Sequence, residues 1–211
     1  MNTCTAGEGT PRILRTTNWI RSAADYATVA LMSLWSPQHV PPYPPVRYTK
    51  DQPEASAWVR PGDAAPDYES HSGAPDVETP MAKKVKYHYL ADQEQTGGDY
   101  VLYRVELGPN CGGPAPHLHR TMSETFFLLS GTVEFHDGNK WASRTRNDFV
   151  YVPPGGIHGW HNESDEPASM LVLFVPGAPR TQFFEGLAHL GELTDDERRE
   201  WFARHDNVYI E

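Results

Sequence analysis

The sequence predicts an all-β protein, a sandwich or barrel of short strands, with helices only at its C-terminal end. Three observations carry that expectation. Short runs rich in β-branched and aromatic residues recur from Lys84 to Val175, separated by turn residues. Gly and Pro are abundant, with 17 and 19 among 211 residues. Helical spacing begins only after Pro179.

Taken in order, residues 1–46 lack any period and end in the Pro-rich "SPQHVPPYPPV", which suits neither a central strand nor a helix interior. They read as an N-terminal extension or linker and a candidate for disorder. The apolar "ATVALMSLW" within them follows Asp25 and precedes no small-residue cleavage site, so it does not read as a signal peptide. A domain is expected over 47–176. Its first part, 47–80, is broken by Pro and Gly, with one edge strand expected around "ASAWVR". Then come "KVKYHYLA", "DYVLYRVEL", "ETFFLLSG" and "TVEFHDGNKWAS", whose "DGN" signals a tight hairpin. "DFVYV" is stopped by "PPGG"; "IHGWHN" and "ASMLVLFV" complete the set. The segment 177–211 is expected to be helical and packed on the barrel. Phe183, Phe184, Leu187 and Leu190 form a stripe, and Thr194 with Glu197 reads as a capping box.

Composition narrows the function classes. The formal net charge is −10, and no basic stripe is present, which argues against nucleic-acid binding. No apolar run approaches the ~20 residues of a membrane helix. Two cysteines, Cys4 and Cys111, lack metal or disulfide spacing, so a reducing cytoplasm is the expected location.

Two segments carry candidate chemistry. In "PHLHRTMSETFFLLSG", His117 and His119 are two apart and share a face if the chain is extended. Glu124 joins that face only if "RTMS" bends. Beyond the bend, Glu124, Phe126 and Leu128 line one side. In "NDFVYVPPGGIHGWHN", a Pro-Gly turn precedes His158, and His158, Trp160 and Asn162 share a face. If both faces look inward, three imidazoles and a carboxylate meet. Such a set suits a first-row divalent metal with positions left for substrate or O₂.

These segments resemble the two cupin motifs. His117-x-His119-x4-Glu124-x6-Gly131 is similar to the first, and Pro153-x-Gly155-xx-His158-xxx-Asn162 to the second. The leading Gly of the first is replaced near Cys111, beside Gly112 and Gly113. Asn147 replaces that of the second and can also occupy a left-handed turn. The resemblance covers Tyr87 to Val175. It implies a double-stranded β-helix, or jelly roll, holding one divalent metal (Fe²⁺, Ni²⁺, Mn²⁺ or Co²⁺, with Zn²⁺ also compatible) through His117, His119, Glu124 and His158.

The family spans dioxygenases, isomerases, cyclases, lyases and non-enzymatic binders, so fold alone selects no reaction. The overall layout is similar to small bacterial cupins likened to quercetin 2,3-dioxygenases. That implies a metal-dependent dioxygenase acting on a small aromatic or flavonol-like substrate with O₂. Its alternatives are a redox-neutral isomerase, cyclase or lyase using the metal as Lewis acid, and a non-catalytic small-molecule binder. Glu124 is the candidate catalytic base. Phe126, Trp160 and Tyr103 are candidate pocket residues, with core packing as the competing fate. Pairing into a homodimer follows by analogy with the family.

Overall fold

Alternation of buried and exposed residues organises the chain. In the computed structural model, which describes residues 44–49, 57–70 and 85–210, the strand Val101–Leu107 buries every second side chain. That period places one strand face on a core and the other outward. The same alternation runs through Ser123–Ser130 and Ala168–Val175, whose buried members include Glu124, Phe126, Leu128, Met170, Val172 and Phe174.

From Trp58 onward the chain forms one unit, and the architecture concerns that unit alone. Its strands are β1 (Tyr68–Glu69), β2 (Val85–Ala91), β3 (Val101–Leu107), β4 (His117–Leu118), β5 (Ser123–Ser130), β6 (Thr132–His136), β7 (Trp141–Thr145), β8 (Phe149–Val152), β9 (Gly159–His161), β10 (Ala168–Val175) and β11 (Val208–Tyr209). A six-stranded antiparallel sheet runs in the order β1-β2-β3-β10-β5-β8. A three-stranded sheet, β7-β6-β9, faces it, and β4 pairs with β11. Phe126 of the large sheet meets Phe135 of the small one at 4.9 Å between ring centroids, so the core lies between the two layers. This is a jelly-roll β barrel.

Turns fall where their residues demand. Gly138 in the β6–β7 hairpin has φ +94°, and Asn147 before β8 has φ +73°, the left-handed turn expected of it. The edge strand expected around "ASAWVR" falls partly outside the described residues. Its described part, 57–60, is not strand. Pro61 and Gly62 follow it into a turn, and the edge is supplied instead by the two-residue β1. The expected extension 1–46 lies outside the described residues apart from 44–46.

After β10 the chain turns helical: α1 (Arg180–Gly186), a 3₁₀ turn (Leu187–Glu192) and α2 (Asp195–Arg204). Thr194 caps α2 with a reciprocal capping box to Glu197. Phe183 and Phe184 are buried in the same core cluster as the barrel strands. Tyr87 stacks on Phe184 at 4.5 Å. The helices therefore complete the core rather than merely coating its outside.

Candidate metal centre

The site begins with two local conformations. His117 and His119 flank Leu118 on an extended segment; bends at Arg120 and Thr121 then reset the alternation, so that Glu124 points inward from β5. The Pro153–Gly156 turn brings the chain back. Gly155 has φ +82°, and its N–H donates to the His119 carbonyl at 2.6 Å. His158 then exchanges both backbone hydrogen bonds with His117 at 2.9 Å. This isolated antiparallel bridge ties the two segments together at the point where their histidines meet.

Four side chains converge. One ligand atom from each of His117, His119, Glu124 and His158 lies within 4.8 Å of all the others, and all four residues are buried. Each ring is oriented through its Nδ1, which lies 3.0 Å from the Ala115 carbonyl in His117, 2.6 Å from the Asp206 carbonyl in His119 and 3.1 Å from the Gly156 carbonyl in His158. A carbonyl accepts only, so each Nδ1 carries its proton and each Nε2 is presented to the centre.

There, Nε2 of His119 and of His158 lie 3.0 and 2.7 Å from the same Glu124 oxygen. Burial would raise the Glu124 pKa, but the hydrogen bonds from His119 and His158 outweigh it and hold the carboxyl well below the usual range. Burial would lower the His158 pKa, yet its hydrogen bond to Glu124 prevails and raises it. His117 has no carboxylate contact of that kind, and burial, reinforced by His158, pushes it down to about 3. The Nε2 atoms and the carboxylate meet at one point, where a single divalent cation would satisfy all four donors. The donor set, three imidazoles and one carboxylate, fits such an ion.

A cavity of about 40 Å³ adjoins this cluster. Its walls include Val105, Trp160, Val172 and Phe174 from the barrel, and Arg180, Phe183 and Phe184 from α1. Of the three expected pocket residues, Trp160 lines it. Tyr103 and Phe126 do not. Tyr103 is wholly buried, with its hydroxyl 3.2 Å from Thr181 Oγ1, and Phe126 packs on Phe135 in the inter-sheet core. Both point inward from central strands at levels already filled by other side chains. A second, larger cleft of about 800 Å³ lies across the Gly113–Pro114 wall and is lined by Cys111, Trp141, His161, Phe202 and Tyr209 among others. His161 is turned from the cluster as expected, against Trp141 at 4.3 Å.

Sequence reasoning missed the C-terminal contribution. Asp206 orients His119 through its carbonyl, and its carboxylate accepts from the N–H groups of Arg120 and Thr121 at 2.9 Å each. Tyr209 pairs with His117 across β11 and β4. Asp206 sits at φ +55°, a conformation Asp tolerates better than most residues, but the sequence held no cue linking it to a histidine 87 positions earlier.

Fold and cluster together define a jelly-roll protein with a buried site competent to bind a metal. Residues 103–174 match the model of the cupin domain family. Over 86 residues it is 33% identical to germin-like protein subfamily 2 member 1 of Arabidopsis thaliana, covering 38% of this chain and 39% of that protein. Over 91 residues it is 26% identical to quercetin 2,3-dioxygenase of Bacillus subtilis, covering 43% and 26%. The chain thus spans less than half the length of these curated relatives. Among solved structures, a predicted oxalate decarboxylase from Thermotoga maritima aligns with a TM-score of 0.47 at 21% identity, over 57% of this chain and 99% of that one. Among the described residues no helix is long and apolar enough to cross a membrane.

Proposed function

We propose that the protein is a metal-dependent enzyme acting on a small molecule, with His117, His119, Glu124 and His158 as the ligands of one divalent transition ion. The observation that carries this reading is the convergence of those four buried donor atoms within 4.8 Å. When bound, the ion supplies Lewis acidity toward a substrate oxygen and, if redox-active, electrons for chemistry with O₂. The chain's own residues do the rest. The carbonyls of Ala115, Asp206 and Gly156 hold the three rings in the tautomer that offers Nε2. Val105, Val172 and Phe174 exclude water from the cavity. Glu124, the one carboxylate of the cluster, is the residue assigned to accept a substrate proton, a role that requires its hydrogen bonds to His119 and His158 to be given up, since they hold its pKa down.

Dioxygenase chemistry is the leading form of this proposal, supported by the partial similarity to quercetin 2,3-dioxygenase. The cavity modifies the substrate class. Drug-sized ligands occupy pockets of about 300–1,000 Å³. About 40 Å³ has room for a few water-sized groups, and a flavonol exceeds it several-fold. That volume argues for a substrate smaller than a flavonol, whether the reaction uses O₂ or is the second reading, a redox-neutral isomerase, cyclase or lyase with the same metal as Lewis acid. The deciding experiment is metal analysis of protein purified without chelator, followed by substrate screening with and without O₂. Oxygen uptake coupled to substrate loss supports the dioxygenase. Equal turnover without O₂ supports the redox-neutral enzyme, and a metal-free, inactive protein contradicts both.

A further inference from the structure

Arg180, the first residue of α1, is 4% exposed and lines the cavity that also holds His117, His119 and Glu124. Its guanidinium lies over Phe183 at 4.0 Å, with Phe174 at 4.9 Å and Phe184 at 5.6 Å. Nη1 donates to the His205 carbonyl at 2.8 Å. Among the described residues that is the guanidinium's one hydrogen bond, and its buried Nε has no partner; the Glu124 and Asp206 carboxylates favour its charge without a hydrogen bond to it. A guanidinium carries five N–H donors and one positive charge, and a buried charge is stable only when paired and hydrogen-bonded. Aromatic faces supply part of that stabilisation, but they leave the in-plane donors unsatisfied. Arg180 differs in this from Arg104, whose Nε is also unpartnered. Arg104 is only partly buried and faces Glu106 at 3.4 Å and His88 at 3.1 Å.

The same cavity holds a second unsatisfied group of opposite kind. Asn207 is 3% exposed, lines the cavity and leaves Oδ1 without a donor among the described residues. A ligand that completes both must offer an oxyanion to Arg180 and a hydroxyl or similar donor to Asn207, within a volume of about 40 Å³.

We propose that Arg180 is the substrate-anchoring residue of this cavity, and that the substrate is a small hydroxycarboxylate of two or three carbons whose carboxylate docks on the guanidinium beside the His/Glu cluster. The proposal rests on the reading of that cluster as a metal site, since the cluster is what gives the anchored molecule a reacting centre. The anchoring itself needs only Arg180 and the cavity. The structural alternative is that Arg180 serves to tie the C-terminal segment to α1 through His205. That role would affect stability and leave anion affinity untouched.

The test uses the full chain, with glycolate as probe and its neutral isostere glycolamide as control, measured by calorimetry on metal-loaded and chelator-treated protein. Arg180→Met keeps an apolar stem among the three phenyl rings, and Arg180→Lys keeps the charge without the fork. Metal content is measured on every sample. The expected result is that glycolate binds wild type at least tenfold more tightly than glycolamide. Arg180→Met should lose at least tenfold in glycolate affinity, with Arg180→Lys between the two and metal content unchanged. Equal binding of glycolate and glycolamide to wild type overturns the proposal even if neither variant folds. So does wild-type glycolate affinity in Arg180→Met. If wild type holds no metal yet binds glycolate through Arg180, the metal reading fails and the anchoring stands.

Discussion

Two cavities share the Gly113–Pro114 wall and differ in almost every respect. The outer one, about 800 Å³, is walled by Trp141, Phe202 and Tyr209. The inner one, about 40 Å³, holds three of the four clustered donors and two unsatisfied buried polar groups. Volume and chemistry are therefore decoupled in this protein. Room for a large ligand lies on one side of the wall, and three of the four clustered donors lie on the other.

The largest effect expected is at the inner site. His158→Ala or His117→Ala should abolish metal binding, because each removes one of four donors from a preformed site. Elemental analysis of each variant checks this, and full metal content in either would remove the chemistry from the inner side of the wall. Next comes the wall itself. A Cβ on Gly113 would sit 1.8 Å from the Trp160 carbonyl oxygen, so Gly113→Ala must displace either the wall or β9. A loss of about 1–3 kcal/mol or more in denaturant unfolding is expected. A stable Gly113→Ala protein would mean that the partition yields readily and that the cavities can merge.

A smaller effect concerns the helix that contributes Phe202 to the outer cleft. Thr194→Ala should cost about 0.5–2 kcal/mol, or a few degrees in Tm. The effect should depend on pH in a defined direction. The Thr194 backbone N–H and then its hydroxyl hold Glu197 below the ordinary carboxylate range. A depressed folded pKa stabilises above the unfolded value of about 4.3 and is lost as pH falls through the folded one. Thermal melts of wild type and Thr194→Ala should therefore draw closer as the pH drops below about 4, as the hydroxyl's bond to the Glu197 carboxylate weakens, while the Glu197 N–H bond to the Thr194 oxygen keeps part of the gap open; a gap that widens in acid would refute this role of the hydroxyl. The smallest effect is at Trp141. Trp141→Ala should leave both metal content and glycolate affinity within twofold of wild type, since this residue lines only the outer cleft. A tenfold change in either would show that the outer cleft belongs to the site.

The barrel was legible because its signals are local. Period-two burial in β3, β5 and β10, the "DGN" hairpin and the Thr194–Glu197 capping box each depend on residues close in sequence. The four donors were legible as candidates because two short segments fix His117, His119 and His158 on inward faces, and because the bend at "RTMS" could be anticipated. What was hidden depends on long-range placement. Tyr103 alternates inward as expected, yet Thr181 on α1 occupies its hydroxyl. Arg180 reads on the sequence as a charge at the edge of a helix, and its burial follows from how Phe183, Phe184 and Phe174 surround it. Asp206 and Tyr209 reach the histidines only because β11 folds back onto β4. No periodicity in 177–211 encodes that return.

X-ray absorption at the metal edge, on wild type and His158→Ala reconstituted with the same divalent ion, bears on the four-ligand assignment without any intermediate assumption. Wild type is expected to show nitrogen and oxygen ligands with the multiple-scattering signature of three imidazoles, and the variant no bound ion. A wild type that takes up no ion, or a variant that keeps the ion with an unaltered spectrum, would contradict the four-ligand assignment.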